Sequence, residues 1–140
     1  IGKLNSSSFH CSKFKGCSLS IAHQNTIYDH LSFEECSLEF DEANLNVFDV
    51  QEDEPNRLLE LRDCTVRGYL TINVDDQVNR ENFEIKLDRV RLEKGAVISV
   101  QGYDISTSED SDGYRSVRFV AANDEITTIL SEEVSNETKN

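Results

Sequence analysis

The chain has 140 residues, about the size of one domain, and 37% of them are hydrophobic, which is too many for a disordered chain. Its 27 acidic and 14 basic residues give a net charge of −13, which argues against direct binding to nucleic acid or to an anionic membrane. No apolar run has the length of a membrane span, and there is no secretory leader. The absence of Met predicts a segment or processed form of a longer product.

One short phrase recurs along the chain, first as "FKGCSLSI" and then as "FEECSLEF", "LELRDCTVRG" and "IKLDRVRLEKG". Its copies share one slot, filled by Cys17, Cys36, Cys64 and Val90. An apolar residue precedes the slot by three positions, at Phe14, Phe33, Leu61 and Leu87. Another apolar residue follows the slot by two positions, so on a strand this residue and the slot residue point to the same face. The slot is therefore predicted to be a core position.

The spacing of the copies predicts how the units pack. The steps between them are 19, 28 and 26 residues, and periods of this size are typical of solenoids, whose units bury their apolar faces by stacking. An alternating segment follows each later copy, as in "ANLNVFDV", "YLTINVDD" and "GAVISVQG". The extra residues of the longer steps fall in "QEDEPNR" and "DDQVNREN", which we interpret as loops inserted at one corner. The alternative is an antiparallel β-sandwich or jelly roll.

Apolar anchors five residues apart mark the first part of the chain, in "SSFHC", "SKFKG", "CSLSI" and "ANLNV". Over about the first fifty residues the chain resembles the pentapeptide-repeat family. That resemblance implies a right-handed parallel β-helix with four sides and a small residue two positions before each central Leu or Phe. Ser7, Ser12, Cys17 and Ala43 fit the small position. Larger residues at Leu31, Leu59, Ile85 and Val90 favour a less regular parallel β-helix, and the predicted fold is a small all-β solenoid with corner loops.

The C-terminal part is predicted to cover the end of the solenoid. In residues 124–134 the apolar positions fall at helical spacing with Asp124 at the cap, which predicts a short capping helix. The alternative is one more strand, "EITTIL". We expect one β-solenoid domain over 1–134 and a frayed tail over 135–140.

Catalytic and metal signatures are missing from the sequence. A chain of this length with this many core residues does not need disulfides, so we expect free thiols and a reducing cytoplasmic compartment. There is no CxxC or HxxxH spacing, and we expect no metal site and no cofactor. The stretch "EDSDG" lacks the downstream Glu of a calcium loop. There is no GxSxG elbow, phosphate-binding glycine loop or HExxH motif, and we expect no enzymatic activity.

Acidic residues cluster in the segments that follow successive units. If the units stack, these segments form an acidic ridge suited to a basic protein surface or a larger assembly. The sequence therefore predicts a protein-binding or scaffolding module. One alternative is a DNA-mimic inhibitor of a nucleic-acid-handling enzyme, which the pentapeptide-repeat resemblance implies, and another is a fragment of a carbohydrate-active β-helix. The predicted contact residues are Glu52, Asp53, Glu54, Asp75, Asp76, Glu109, Asp110 and Asp112.

Overall fold

The computed structural model is all-β. It describes residues 2–28, 30–47, 57–75, 83–107, 113–122 and 125–130. Within these ranges the chain forms strands and no helix. The strands are β1 Gly2–Asn5, β2 Ser8–Phe9, β3 Ser12–Lys15, β4 Ser18–Ile27, β5 His30–Glu34, β6 Ser37–Val47, β7 Arg57–Arg62, β8 Thr65–Val74, β9 Phe83–Leu92, β10 Val97–Val100, β11 Tyr103–Ser106, β12 Gly113–Ala122 and β13 Glu125–Leu130.

The strands from β1 to β10 stack in three ladders, which the chain visits in the same order on every coil. The first ladder contains β1 and the first halves of β4, β6 and β8. The second contains β2, the second halves of the same strands, and β10. The third contains β3, β5, β7 and β9. Because all of these pairs are parallel, the fold is a β-solenoid and the sandwich alternative is wrong.

The register of the repeat is as the sequence predicts. Phe14 pairs with Phe33, Phe33 with Leu61, and Leu61 with Leu87, so the apolar residues before the slot form one stacked column on the third ladder. Phe33, Leu61 and Leu87 are buried, and the rings of Phe14 and Phe33 stack at 5.3 Å. Side chains from all three ladders meet in a single apolar core, which each coil could not bury alone.

Residues in the left-handed backbone region turn the chain from the third ladder to the first. They are Gly16, Glu35, Asp63 and Arg89, with φ between 52° and 67°. The slot residue follows each of them, and successive coils are linked there by backbone hydrogen bonds. The amide N–H of Ser37 donates to the Cys17 carbonyl at 2.8 Å, and that of Thr65 donates to the Cys36 carbonyl at 2.9 Å.

The slot is a core position, which confirms the prediction. Cys36, Cys64 and Val90 are at most 3% exposed. Cys17 lies in the first coil, where no strand is stacked on its outer side in the described structure, and it is half-buried. None of the four cysteines forms a disulfide.

The predicted capping helix is wrong over residues 125–130, and the strand alternative is confirmed. β12 lies antiparallel to β9, and β13 lies antiparallel to β12, with Ala121 opposite Ile126. The physical reason is that β12 would have an edge of unpaired backbone groups without β13, and the β-branched run from Ile126 to Ile129 favours an extended chain. Residues 131–134, and the tail 135–140, lie outside the described residues.

Candidate functional site

The structure describes one of the eight predicted contact residues, Asp75. It follows β8, is half-buried, and donates its backbone N–H to the Val47 carbonyl at 2.9 Å. The other seven lie outside the described residues, namely Glu52, Asp53, Glu54, Asp76, Glu109, Asp110 and Asp112.

Two of the acidic segments leave the solenoid at the same corner, between the second and third ladders. The first begins after Val47 and returns at Arg57, and the second begins at Asp75 and returns at Phe83. Val47 pairs with Val74, and Arg57 pairs with Phe83, so both the exits and the returns are stacked on neighbouring coils. We call this corner, with its segments 48–56 and 75–82, the acidic corner.

The third acidic segment is anchored elsewhere. After β10 the chain reverses at Gln101 and Gly102, both with positive φ, and β11 runs back antiparallel to β10. Segment 108–112 therefore starts beside the corner between the first and second ladders. An added Cβ on Gly113 would lie 2.7 Å from Thr107 Oγ1, so the two ends of this segment are close together. Glu109, Asp110 and Asp112 thus do not share an anchor with the acidic corner.

Negative charge is unevenly divided between the described residues and the rest of the chain. The described residues include 13 acidic and 12 basic side chains, a balance of −1. The rest of the chain holds 14 acidic and two basic side chains, which supplies −12 of the net charge of −13. The stacked strands are therefore close to neutral.

Charges on the solenoid itself are arranged in ladders of alternating sign. On the outer face of the third ladder Glu34 lies between Lys13, at 4.0 Å, and Arg62, at 3.9 Å, and Arg62 also approaches Asp88 at 3.9 Å. These distances describe loose, half-exposed ion pairs, each worth little. The main effect of the alternating signs is that strands stacked every ~4.8 Å do not bring like charges together.

A closer ion pair links the left-handed residues of two neighbouring coils. Arg89 donates to both carboxylate oxygens of Asp63, from Nε at 2.7 Å and from Nη2 at 2.9 Å. This hydrogen bond lowers the pKa of Asp63 and raises that of Arg89. Both side chains are exposed at a corner and paired with each other, so we assign them a structural role.

The slot cysteines hydrogen-bond to the backbone and have a structural role. Each thiol donates to the carbonyl two residues before it, from Cys17 to Lys15, from Cys36 to Glu34, and from Cys64 to Arg62, at 3.4–3.5 Å. Burial raises the pKa of the Cys64 thiol to about 11. Because nucleophiles and metal ligands need a thiolate, Cys64 is suited to neither role at neutral pH.

A shallow hollow of about 250 Å³ opens on the outer face of the third ladder. Its floor is Ser32, which is short and lies in register between the longer Lys13 and Glu60. The remaining residues that line it are His30, Phe33, Glu34 and Arg62. Two acidic and two basic side chains balance in this hollow, so it presents no net charge to an ionic ligand. No group of three metal-ligating side chains occurs in the part of the chain that the structure describes.

Sequence reasoning missed the outer face of the second ladder. From β4 to β10 its outward side chains are uncharged and, apart from Val97, polar, although 29% of the chain is charged. The available signal was the alternation of polar with apolar residues in "NLNV" and "TINV".

Comparison with protein-family models, with curated proteins and with solved structures found no match to this chain. Among the described residues there is no helix of the length and apolarity needed to cross a membrane.

Proposed function

We propose that this protein is a non-enzymatic binding module that presents the acidic corner to a basic protein surface. The observation that carries the proposal is the contrast between the acidic corner, whose segments hold seven acidic side chains and one basic side chain, and the described residues, whose charges nearly balance. A surface that is acidic only for solubility has no need to keep the strand faces neutral, since charges on those faces would serve equally well.

The anchors of the acidic corner support the proposal further. Segments 48–56 and 75–82 begin and end at paired residues on neighbouring coils. Their carboxylates include Glu52, Asp53, Glu54 and Asp76. Clustered charge of one sign accelerates the association of an oppositely charged partner, and this attraction weakens as salt rises.

Charge reversal with a matched control tests the proposal. The test variant is Glu52→Lys with Asp53→Lys, and the control is Asp41→Lys with Glu42→Lys, two exposed residues near the corner between the first and second ladders. Both variants change the net charge equally. We expect the test variant to bind basic proteins from a native extract with an association rate lower by about tenfold, and the control to lose much less.

Competition with DNA separates this proposal from nucleic-acid mimicry. Binding that DNA displaces from a nucleic-acid-handling enzyme would identify the acidic corner as a mimic of the phosphate backbone. Equal loss of binding in the test and control variants would show that net charge alone acts, and the proposal would then be wrong.

A further inference from the structure

The second ladder carries an outer face without charge from β4 to β10, and Asp104 of β11, in register with Ser99, is a charged residue at its edge. On each coil, two outward side chains are separated by one buried residue, as Thr71 and Asn73 are by Ile72. These outward side chains stack in two columns, as the strand register shows. We call them the amide face, and they are Gln24, Thr26, Asn44, Asn46, Thr71, Asn73, Ser99 and Gln101.

Hydrogen bonds between coils hold the amide face in place. The Asn46 amide donates to Gln24 Oε1 at 2.9 Å, and the Asn73 amide donates to Asn46 Oδ1 at 3.0 Å. The Gln101 side chain accepts from the Val74 backbone N–H at 2.8 Å. Each amide has two donor hydrogens and an oxygen with two lone pairs, so these bonds leave capacity for a ligand.

Stacking alone does not explain the lack of charge. Amide ladders stabilise stacked strands, but the third ladder stacks equally well with charged residues of alternating sign, such as Glu34, Arg62 and Asp88. On the first ladder Arg67 likewise lies between Glu39, at 3.8 Å, and Glu93, at 3.9 Å. From β4 to β10 the amide face is thus one that a flat neutral ligand could cover without desolvating a charge, unlike the outer faces of the first and third ladders.

An exposed aromatic side chain extends the amide face at its edge. Tyr69 precedes Thr71 and Asn73 on β8, and because Leu70 is fully buried, Tyr69 points outward with them. It is 49% exposed and pairs with Val97 of the next coil. An exposed tyrosine ring beside a row of hydrogen-bonding groups offers both an apolar stacking surface and polar contacts.

We propose that the amide face and Tyr69 bind an extended neutral polysaccharide without cleaving it. Sugar hydroxyls both donate and accept hydrogen bonds, as do the amides and hydroxyls of this face. The columns repeat every ~4.8 Å along the solenoid, close to the length of one sugar unit in an extended chain. A chain lying along a column therefore meets one hydrogen-bonding side chain per sugar, and Tyr69 stacks against a ring at the edge.

The test uses the whole chain and measures retention on insoluble cellulose and chitin and, by affinity electrophoresis, on soluble xylan and hydroxyethylcellulose. Ser99→Lys places a charge on the amide face, and Ser20→Lys, at an equally half-buried serine on the first ladder, is its matched control. We expect one of these polysaccharides to retain the wild type at low and high salt. Ser99→Lys should weaken this binding at least about tenfold, Tyr69→Ala about tenfold, and Ser20→Lys no more than about twofold.

Thermal unfolding checks that each variant folds, and if Ser99→Lys does not, the exposed Tyr69→Ala provides the readout. The proposal is overturned if none of the four neutral polysaccharides binds, or if Ser99→Lys and Ser20→Lys behave alike. It is also overturned if Ser99→Lys changes the solution mass without any polysaccharide binding, because the face would then join two copies of the chain. The acidic corner plays no part in this test, so its failure leaves the proposed function standing.

Discussion

The replacement of Gly68 by Ala tests whether the coils approach each other as closely as the structure indicates. Gly68 lies on β8 in register with Phe40 of β6, and its φ of 95° is one that residues with a Cβ rarely adopt. A Cβ at this position would overlap the Phe40 carbonyl oxygen and lie 2.9 Å from its carbonyl carbon. The backbones of β6 and β8 would have to separate to admit it.

Gly95→Ala is the matched control, because Gly95 has a φ of 83° and no atom within 4 Å of an added Cβ. The backbone strain common to both variants costs about 1–2 kcal/mol. Displacement of the packed strands should add roughly 2–3 kcal/mol at Gly68 alone. We therefore expect Gly95→Ala to lower the free energy of unfolding by about 1–2 kcal/mol and Gly68→Ala to lower it by about 3–5 kcal/mol.

Urea unfolding followed by circular dichroism measures both values, and an unchanged slope against urea shows that the two variants unfold from equally compact states. The melting temperature of Gly68→Ala should fall by about 10 °C or more. Equal losses in the two variants would refute the reasoning, because strain without a clash would then account for both.

Three further predictions concern the slot, the corner ion pair and the C-terminal strands. Because burial raises the pKa of the Cys64 thiol from 9.0 to about 11, stability should fall as the pH rises through this range, by about 2–3 kcal/mol. Urea unfolding of Cys64→Val should lack this dependence of stability on pH. If the dependence persists in full, its assignment to the Cys64 thiol is contradicted. A double-mutant cycle of Asp63→Asn and Arg89→Ala should give a coupling free energy between the two side chains below about 1 kcal/mol, which shrinks as salt rises. Because the pKa of Asp63 is lowered in the fold, the stabilisation that its carboxylate provides should be lost as the pH falls below 3.8. Truncation after Ala122 should lower the melting temperature more than truncation after Leu130, since the first removes β13 and leaves β12 as an edge; equal melting temperatures would argue against that pairing.

Register and burial were readable from the sequence because they follow from local periodicity. A strand that buries one face must alternate, and a solenoid must repeat that alternation once per coil. The spacing of Phe14, Phe33, Leu61 and Leu87 therefore predicted which residues pair, and the slot predicted the buried Cys64. Composition also showed that the longer coils carry acidic insertions.

The sequence did not show that the last group of predicted contact residues starts at a different corner, because this depends on a reversal of the chain after β10. The sequence suggested that all three acidic segments follow equivalent units. The turn at Gln101 and Gly102 makes β11 antiparallel, and so the last of these segments starts at a different corner. Its "QG" dipeptide is less typical of such a turn than Asn-Gly or Asp-Gly.

The number of ladders and the structure of the C-terminal part were decided by tertiary contacts. Of the four residues that turn the chain from the third ladder to the first, Gly16 and Asp63 are of types enriched in the left-handed region, whereas no local signal marks Glu35 or Arg89 for it. The segment from Glu125 to Leu130 satisfies both helical and strand periodicity, and it becomes β13 because β12 offers unpaired backbone donors and acceptors along its edge. Local periodicity determines which side of a strand is buried, but a corner or a terminal strand takes its conformation from the coil on which it stacks.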